Sequence, residues 1–285
     1  MAEWRKVDRG VRDTLGEGTL WSARENAVYW TDIVAPALNR LSLDDGVIQR
    51  WAMPEPLGWV VERAGGGFVG GFQSGFKWLT LDPLTITPLG DPEPHLPGSR
   101  MNDGKADESG AIWCGTMDMT GGQDVGLLYR LDPDGGWAIA DSGYRVPNGP
   151  AFSPGGDWLY HSDTARRQIY RFSRTAGGGL ADRQPFIHFA EEDGYPDGMT
   201  VDADGHLWVA HWGGGRISRF TPEGRLDRSI ALPAGQVTNI CFAGERLDRM
   251  FVSSAAIGLP ESEHDGALFE VFPGTHGLPT NLYAG

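Results

Sequence analysis

Carboxylate, amide and guanidinium side chains stand in short turns at four widely separated places in the chain. These segments are LGEGTLW (15–21) with Glu17, SRMNDGK (99–105) with Arg100, Asn102 and Asp103, VPNGPAFSP (146–154) with Asn148, and YPDGMTVD (195–202) with Asp197. Two carboxylates and one amide oxygen make an oxygen-only ligand set, which suits a hard divalent cation whose shell water completes. Three protein ligands leave coordination positions open, as in catalytic rather than structural metal sites. Each residue alone would be an ordinary turn residue. A functional role is therefore indicated only by the position that they share relative to the repeated strands of the chain.

The polar segments stand beside a pattern of two apolar strands that occurs six times in the chain. The first strands are AVYWTD (27–32), GFVGGF (67–72), AIWCGT (111–116), WLYHSD (158–163), HLWVAH (206–211) and RMFVSS (249–254). The second strands are centred on Arg40, Trp78, Arg130, Arg171, Arg219 and Glu270, which are 38 to 52 residues apart. A period of this length with several short strands per unit is typical of propeller blades, and a sandwich would not require it.

We therefore predict an all-β fold, a six-bladed β-propeller with four-stranded blades around a central channel, in a single domain over residues 1–285. A lone unit buries too little apolar surface to be stable, whereas six units packed radially bury one another's faces. The first strand of each blade lines the channel, so the polar residues of the four turns can converge there. The extra strand-like segment WRKVDRGV (4–11) is predicted to complete the last blade and close the ring.

Composition excludes several functional classes. The net charge of −14 argues against nucleic acid and anionic membranes, which require a basic surface, and it is compatible with cation binding. Cys114 and Cys241 are predicted to be free buried thiols. The N-terminal MAEWRKVDRG carries charges where a signal peptide needs an apolar run, so we expect a cytoplasmic protein.

Other catalytic patterns are missing from the sequence. No serine stands in G-x-S-x-G, no P-loop is present, and the seven histidines form no zinc-type pair. His161 and His211 end strands and could face the channel, although an ordinary placement at a strand end is favoured.

The four turn segments carry a family resemblance. G-E-G-x-x-W, R-x-N-D-G-K before a strand leading to G-T-M, P-N-G-P-x-F-S-P, and Y-P-D-G-x-x-V-D-x-x-G-x-L-W-V-A resemble the SMP-30/gluconolactonase/regucalcin family, as does VTNICFAG (237–244). The motifs follow the family's order and cover nearly the whole chain. The resemblance implies a six-bladed propeller that hydrolyses sugar-acid lactones with one divalent metal ion in its channel.

Residue roles follow from the same resemblance. Glu17, Asn148 and Asp197 would bind the metal, which could be calcium, zinc, magnesium, manganese or iron, and Arg100 and Asn102 would bind substrate. Some members place another carboxylate in a lid loop after G-T-M. Here Asp118 and Asp124 are available, but neither aligns well.

The implied reaction is hydrolysis of an aldonolactone to the aldonic acid. Asp197 would bind the ion and act as general base toward water, with a hydroxide on the ion as the alternative. Trp212 could pack on the sugar ring, although a place in the blade core is favoured. Three other functions stay open: a lactonase or esterase acting on a non-sugar ester, a non-catalytic divalent-cation-binding propeller, and a propeller that binds a protein partner. We expect a monomer or small homo-oligomer.

Overall fold

The computed structural model describes residues 3–285, which form 24 β-strands and two single-turn 3-10 helices, Thr164–Arg166 and Glu191–Asp193. The strands are β1 Trp4–Lys6, β2 Gly16–Ser22, β3 Ala27–Asp32, β4 Ala37–Ser42, β5 Ile48–Ala52, β6 Leu57–Glu62, β7 Phe68–Phe72, β8 Gly75–Leu81, β9 Leu84–Gly90, β10 Ser99–Ala106, β11 Ile112–Asp118, β12 Gly126–Leu131, β13 Trp137–Tyr144, β14 Pro147–Phe152, β15 Trp158–Asp163, β16 Gln168–Arg174, β17 Leu180–His188, β18 Tyr195–Val201, β19 Leu207–Trp212, β20 Arg216–Phe220, β21 Leu226–Ala231, β22 Gln236–Ala243, β23 Arg249–Ala255 and β24 Phe269–Val271. Within the described residues, no helix has the length and hydropathy that crossing a membrane requires.

The strands form antiparallel sheets in a propeller-like arrangement. Four sheets have four strands each: β2–β5, β6–β9, β10–β13 and β14–β17. The fifth sheet has eight strands, because β18–β21 and the group β22, β23, β24 and β1 are joined through the pair Trp212 and Gln236. The predicted all-β propeller-like fold is confirmed, and the number of six blades stays a prediction because two of the expected units share one sheet.

Six strands surround the middle of the molecule. They are the first strands of the successive four-strand groups, β2, β6, β10, β14, β18 and β22, which we call the inner strands. Each inner strand contacts the next one along the chain, and β22 contacts β2, so the ring is closed. Their residues are mostly buried. The four polar segments, predicted as turns, are therefore parts of four of these inner strands.

The segments predicted as the first, channel-lining strands, such as AVYWTD in β3, come second in their sheets, so that assignment was wrong by one strand. The physical reason is that the glycine-rich inner strands lack the period-2 alternation by which strands are recognised.

The N-terminal segment closes the last group of strands. Trp4 pairs with Val271, and Lys6 pairs with Phe269, so β1 becomes the outer strand beside β24. This confirms the predicted role of the segment, although the strand itself covers only three of its residues. Pairing the first strand with the last joins the N-terminal segment to the last group of strands, so separating them would require breaking a β-ladder.

The core lies between neighbouring sheets, where large aromatic side chains are fully buried. Trp59, Trp113 and Trp208 are each inaccessible to solvent. Trp113 and Trp208 each donate an indole hydrogen bond to an aspartate six residues earlier, Asp107 at 2.7 Å and Asp202 at 2.9 Å. The same hydrogen bond occurs in two units, and in each it joins the turn before a strand to a tryptophan of the core. Cys114 and Cys241 are free and buried, as predicted.

Candidate functional site

Every inner strand loses regular pairing with its neighbour at one point. The register shifts lie between Glu17 and Leu20, Leu57 and Trp59, Met101 and Gly104, Asn148 and Ala151, Pro196 and Met199, and Val237 and Ile240. Extra residues of this kind break the alternation of a strand and redirect its side chains. The polar turns of the sequence fall at these interruptions, which explains how ring-lining strands can present consecutive polar residues.

Three of the predicted residues form a chain of hydrogen bonds between β10 and β14. Arg100 donates from Nη1 to Asn102 Oδ1 at 2.7 Å. Asn102 in turn donates from Nδ2 to Asn148 Oδ1 at 3.0 Å and to the Pro147 carbonyl at 2.7 Å. The predicted substrate-binding pair and one predicted metal ligand are therefore in direct contact.

Glu17 belongs to a second network, which includes two residues outside the predicted set. Asn239 donates from Nδ2 to Glu17 Oε2 at 3.3 Å and to Asp103 Oδ2 at 3.1 Å. Asp103 Oδ2 also accepts from the Gly149 amide at 3.0 Å, which ties it to β14. Asn239 was missed as a site residue, although it stands at the same phase of the repeat as the predicted ones. Asp103 belongs to one of the polar segments of the sequence, which predicts no role for it.

Burial raises the pKa of both predicted carboxylate ligands. The pKa of Glu17 rises to about 8, first because the group is desolvated and then because the charge of Asp103 lies nearby. Desolvation also raises the pKa of Asp197 well above its ordinary value, with further contributions from Glu17 and Asp103. These mutual effects place the three carboxylates, from β2, β10 and β18, in one neighbourhood.

Arg100 and Lys105 are the cations near these carboxylates. Burial lowers the pKa of Arg100 to about 10, although the charges of Glu17 and Asp197 raise it. Burial also lowers the pKa of Lys105, against the charges of Asp103 and Glu17. Two cations among three buried carboxylates still leave an excess of potential negative charge. Within residues 3–285, Asp197 Oδ1 is moreover buried without any hydrogen-bond partner. A buried acceptor of this kind is costly unless a ligand satisfies it.

The donor set fits a divalent cation of the hard, oxygen-binding type. Within residues 3–285, no three His, Cys, Asp or Glu side chains are grouped closely enough to hold a metal ion. Any ion here would therefore need an amide ligand beside two carboxylates, and the predicted set of Glu17, Asn148 and Asp197 has that composition. The unpartnered Asp197 oxygen and the raised carboxylate pKa values both indicate a place where positive charge is missing.

The two carboxylates of the loop after G-T-M contact neighbouring groups of the protein. Asp118 Oδ2 accepts from the Gly122 amide at 3.2 Å and so shapes the loop. Asp124 forms ion pairs with Arg145 at 2.7 Å and Arg166 at 2.8 Å. Both groups therefore have protein partners, and neither is assigned a substrate contact.

Three other candidates belong to the packing between strands. His161 is fully buried beside Tyr144, with ring centroids 4.7 Å apart, and burial lowers its pKa to about 3. His211 Nδ1 lies 2.8 Å from the Asp193 carbonyl, and burial lowers its pKa to about 4. Trp212 is half-buried and packs against the small cluster of Leu15, Ile33 and Ala255. The favoured interpretation of the histidines as strand-end residues agrees with this packing.

A cavity of about 290 Å³ lies farther along the same inner strands. Its walls include Thr19, which lies within the interruption of β2, and Lys105, Thr200 and Cys241, which follow the interruptions of their strands in sequence. The segment 278–281 also lines it. Glu17, Asn148 and Asp197 do not contribute to its walls. The middle of the ring is therefore lined by polar side chains where the inner strands begin, and farther along these strands it holds a cavity lined by both polar and apolar side chains.

Comparison with known sequences identifies a family. A model of the SMP-30/gluconolactonase/LRE-like region matches residues 15–256, which include Glu17, Arg100, Asn102, Asn148 and Asp197.

Individual relatives match along nearly their whole length. A 6-deoxy-6-sulfogluconolactonase of Pseudomonas putida is 34% identical over 277 residues, covering 95% of each chain. An L-arabinolactonase of Azospirillum brasilense is 34% identical over 285 residues, covering 96% of this chain and 94% of the relative. The solved structure of regucalcin, a calcium-binding protein from Agrobacterium tumefaciens, superposes with a TM-score of 0.93 at 28% identity. It covers 98% of this chain and 97% of its own.

Proposed function

Because the chain belongs to the SMP-30/gluconolactonase/LRE-like family, we propose that it hydrolyses a sugar-acid lactone, an aldonolactone, to the aldonic acid with the help of a divalent metal ion. The observation that carries the proposal is Asp197, a buried carboxylate whose Oδ1 has no partner, in a neighbourhood shared with Glu17 and Arg100. Such an arrangement is costly to the fold and useful to a reaction that develops charge. Relatives named for lactone hydrolysis support the same activity.

Glu17, Asn148 and Asp197 would hold the ion. When bound, a divalent cation would polarise the lactone carbonyl as a Lewis acid and supply the positive charge that the site lacks. The set of oxygen donors suits calcium, magnesium or manganese and is compatible with zinc or iron. Calcium has the additional support that the solved regucalcin is described as a calcium-binding protein.

Asp197, Arg100 and Asn102 would act on the substrate. Asp197 Oδ1 would accept the proton of the attacking water, because it is the carboxylate oxygen without a protein partner. Arg100 makes its side-chain hydrogen bonds through Nη1, to Asn102 and the Met101 carbonyl. Its Nε and Nη2 are therefore left to donate to substrate oxygens, and Asn102 orients the guanidinium through its own contact.

The proposal extends to the organisation of the protein. We propose six blades in one domain over residues 1–285, supported by the closed ring of six inner strands and by the six copies of the repeat. The eight-stranded sheet would then be two blades that touch through Trp212 and Gln236. A cytoplasmic location is proposed as well, and the free, buried Cys114 and Cys241 are compatible with a reducing compartment.

The competing function is cation binding without turnover. The solved regucalcin, described as a calcium-binding protein, favours considering it, because the same carboxylates would serve both purposes. A lactonase acting on a non-sugar ester is a third possibility that differs only in the substrate.

One assay separates these functions. The protein is freed of metal with a chelator, reloaded with calcium, zinc, magnesium, manganese or iron(II), and offered a panel of five- and six-carbon aldonolactones and simple esters. We expect proton release above the spontaneous rate with at least one aldonolactone, and only after reloading. Metal binding with no turnover of any lactone or ester would refute the enzyme, and turnover of simple esters alone would refute the sugar substrate.

A further inference from the structure

The inner strand β22 differs from the other five at the level of the site. In each of the other five, a glycine stands in the interrupted stretch or directly after it: Gly18, Gly58, Gly104, Gly149 and Gly198. In β22 the interrupted stretch consists of Thr238 and Asn239. Asn239 stands last in that stretch, at the position that Gly198 has in β18, and its side chain is completely buried.

The amide of Asn239 uses all of its hydrogen-bonding capacity. Nδ2 donates to Glu17 Oε2 at 3.3 Å and to Asp103 Oδ2 at 3.1 Å. Oδ1 accepts from Thr19 Oγ1 and from the Ile240 amide, both at 2.9 Å. A backbone amide can only donate, so it must face the oxygen of Asn239, and the NH₂ group is thereby directed at the two carboxylates.

Packing fixes the amide in the same orientation. A Cβ atom added at Gly198 would lie 2.3 Å from Asn239 Nδ2 and 2.6 Å from its Cγ, which no real side chain could tolerate. The backbone that follows Asp197 thus lies flat against the amide, as only glycine allows. Asn239 consequently touches β2, β10 and β18 at once.

We propose that Asn239 is the positioning residue of the metal site, an inference that rests on the function proposed above. Two buried carboxylates in one neighbourhood repel each other, and an NH₂ group between them gives each a hydrogen bond without adding a positive charge. A lysine or arginine at this place would neutralise the pair and compete with a cation. Asn239 instead holds Glu17 in one orientation and leaves its negative charge available to a divalent ion.

The test compares two buried asparagines. Asn239→Leu removes the amide with little change in size, and Asn39→Leu does the same in β4, where the amide contacts the Trp30 carbonyl and Arg50 rather than the inner ring. Calorimetry measures the binding of Ca²⁺ and of Zn²⁺ to each metal-free protein, with thermal unfolding as a check that it is folded. We expect Asn239→Leu to bind its ion about 10–100-fold more weakly, as is typical when a partner of a ligand is lost. Asn39→Leu should bind the ion like wild type. A folded Asn239→Leu protein with wild-type affinity would overturn the inference.

A milder variant keeps the inference testable if Asn239→Leu does not fold. Thr19→Val removes the hydroxyl that holds the oxygen of Asn239 and leaves both donors to the carboxylates in place. We expect the affinity for the same ions to fall a few-fold, in the same direction, and an unchanged affinity would count against a positioning role.

A double-mutant cycle with Glu17→Ala asks whether the effect passes through Glu17. If Asn239 acts by orienting that carboxylate, Asn239→Leu should weaken ion binding little or not at all once Glu17 is alanine. A full additional loss in the double variant would show that Asn239 acts by another route and would overturn the inference.

The outcomes also separate this inference from the proposed function. Wild-type protein that binds an ion but hydrolyses no lactone refutes the enzyme, and the comparison of Asn239→Leu with Asn39→Leu still decides the role of Asn239. Wild-type protein that binds none of the ions overturns both.

Discussion

Asp197 and Asp202 are five residues apart in the chain, and both side chains are buried, yet they differ in their hydrogen-bond and ion-pair partners. Asp202 accepts hydrogen bonds from two backbone amides, from Trp208 at 2.9 Å and from Arg219 at 2.7 Å. Among the described residues, Asp197 Oδ1 has no hydrogen-bond partner, and the pKa of the group lies well above its ordinary value. The fold therefore compensates one buried carboxylate with its own groups and leaves an oxygen of the other without a partner.

The same contrast extends to the rest of the molecule. Asp107 repeats the arrangement of Asp202, with Trp113, Arg174 and two backbone amides as partners. Glu17 repeats the arrangement of Asp197, because its partners are neutral amides and its pKa rises to about 8. The buried carboxylates of this protein therefore differ in whether an arginine is bound to them, and both proposed metal ligands belong to those without one among the described residues.

The largest expected effect is the loss of turnover in Asp197→Asn. Asparagine keeps an oxygen for the ion but cannot accept a proton, so kcat should fall by ~10²–10⁴-fold, as is typical for a lost general base. The measurement is proton release from an aldonolactone with the ion saturating and the spontaneous rate subtracted. Full activity in this variant would assign the base to another group.

Asp202→Ala should produce the opposite pattern. It leaves the Trp208 indole without an acceptor and removes one of three carboxylates around Arg219, so the free energy of unfolding should fall by about 3 kcal/mol. Turnover per folded molecule should stay close to wild type. Denaturant unfolding of metal-free Asp202→Ala and Asp197→Asn gives the comparison, and an equal loss of stability in the two variants would contradict the distinction between the two aspartates.

Glu17→Ala should weaken ion binding by about tenfold or more, because one of two charged ligands is removed and tenfold corresponds to only about 1.4 kcal/mol. Asp124→Ala is the matched control, since it deletes a carboxylate that Arg145 and Arg166 already neutralise. Calorimetric titration of both metal-free proteins should show weaker ion binding in Glu17→Ala and wild-type ion binding in Asp124→Ala. Wild-type affinity in Glu17→Ala would remove Glu17 from the ligand set.

The effect that is smallest at neutral pH, and that grows only in acid, concerns His161. Burial lowers its pKa from 6.5 to about 3, so the unfolded chain binds a proton that the folded protein refuses. Stability should therefore fall as the pH drops from about 6.5 toward 3, by at most about 1.4 kcal/mol per pH unit from this group. His161→Phe should lose less stability than wild type over that interval, and the packing cost of the larger ring is the same at every pH. Denaturant midpoints measured at several pH values test this, and identical slopes would contradict it.

Much of the proposed site could be predicted because its residues recur at one phase of a repeat. Glu17, Asn148 and Asp197 stand in polar segments directly before the apolar strands β3, β15 and β19, and glycine beside each permits the close approach that the ring requires. The propeller-like fold, the closing β1 strand and the free cysteines could be predicted for the same reason, since each depends on local pattern. Asn239 was missed because its turn lacks both the glycine and the carboxylate that drew attention to the others.

The amino-acid sequence by itself determined the two apolar strands of each unit and the polar segments beside them, because alternation, glycine and proline act within a few residues. That those polar segments are the inner strands of the ring was decided by the tertiary structure. Only the tertiary structure decided that Asn239 would lie between Glu17 and Asp103, 222 and 136 residues away along the chain. It also decided that Asp202 would form an ion pair with Arg219, whereas Asp197 forms none within the described residues although Arg100 lies nearby. Those outcomes depend on which sheets the closed ring brings together, and the cost of a buried charge is set by the groups around it rather than by its own identity.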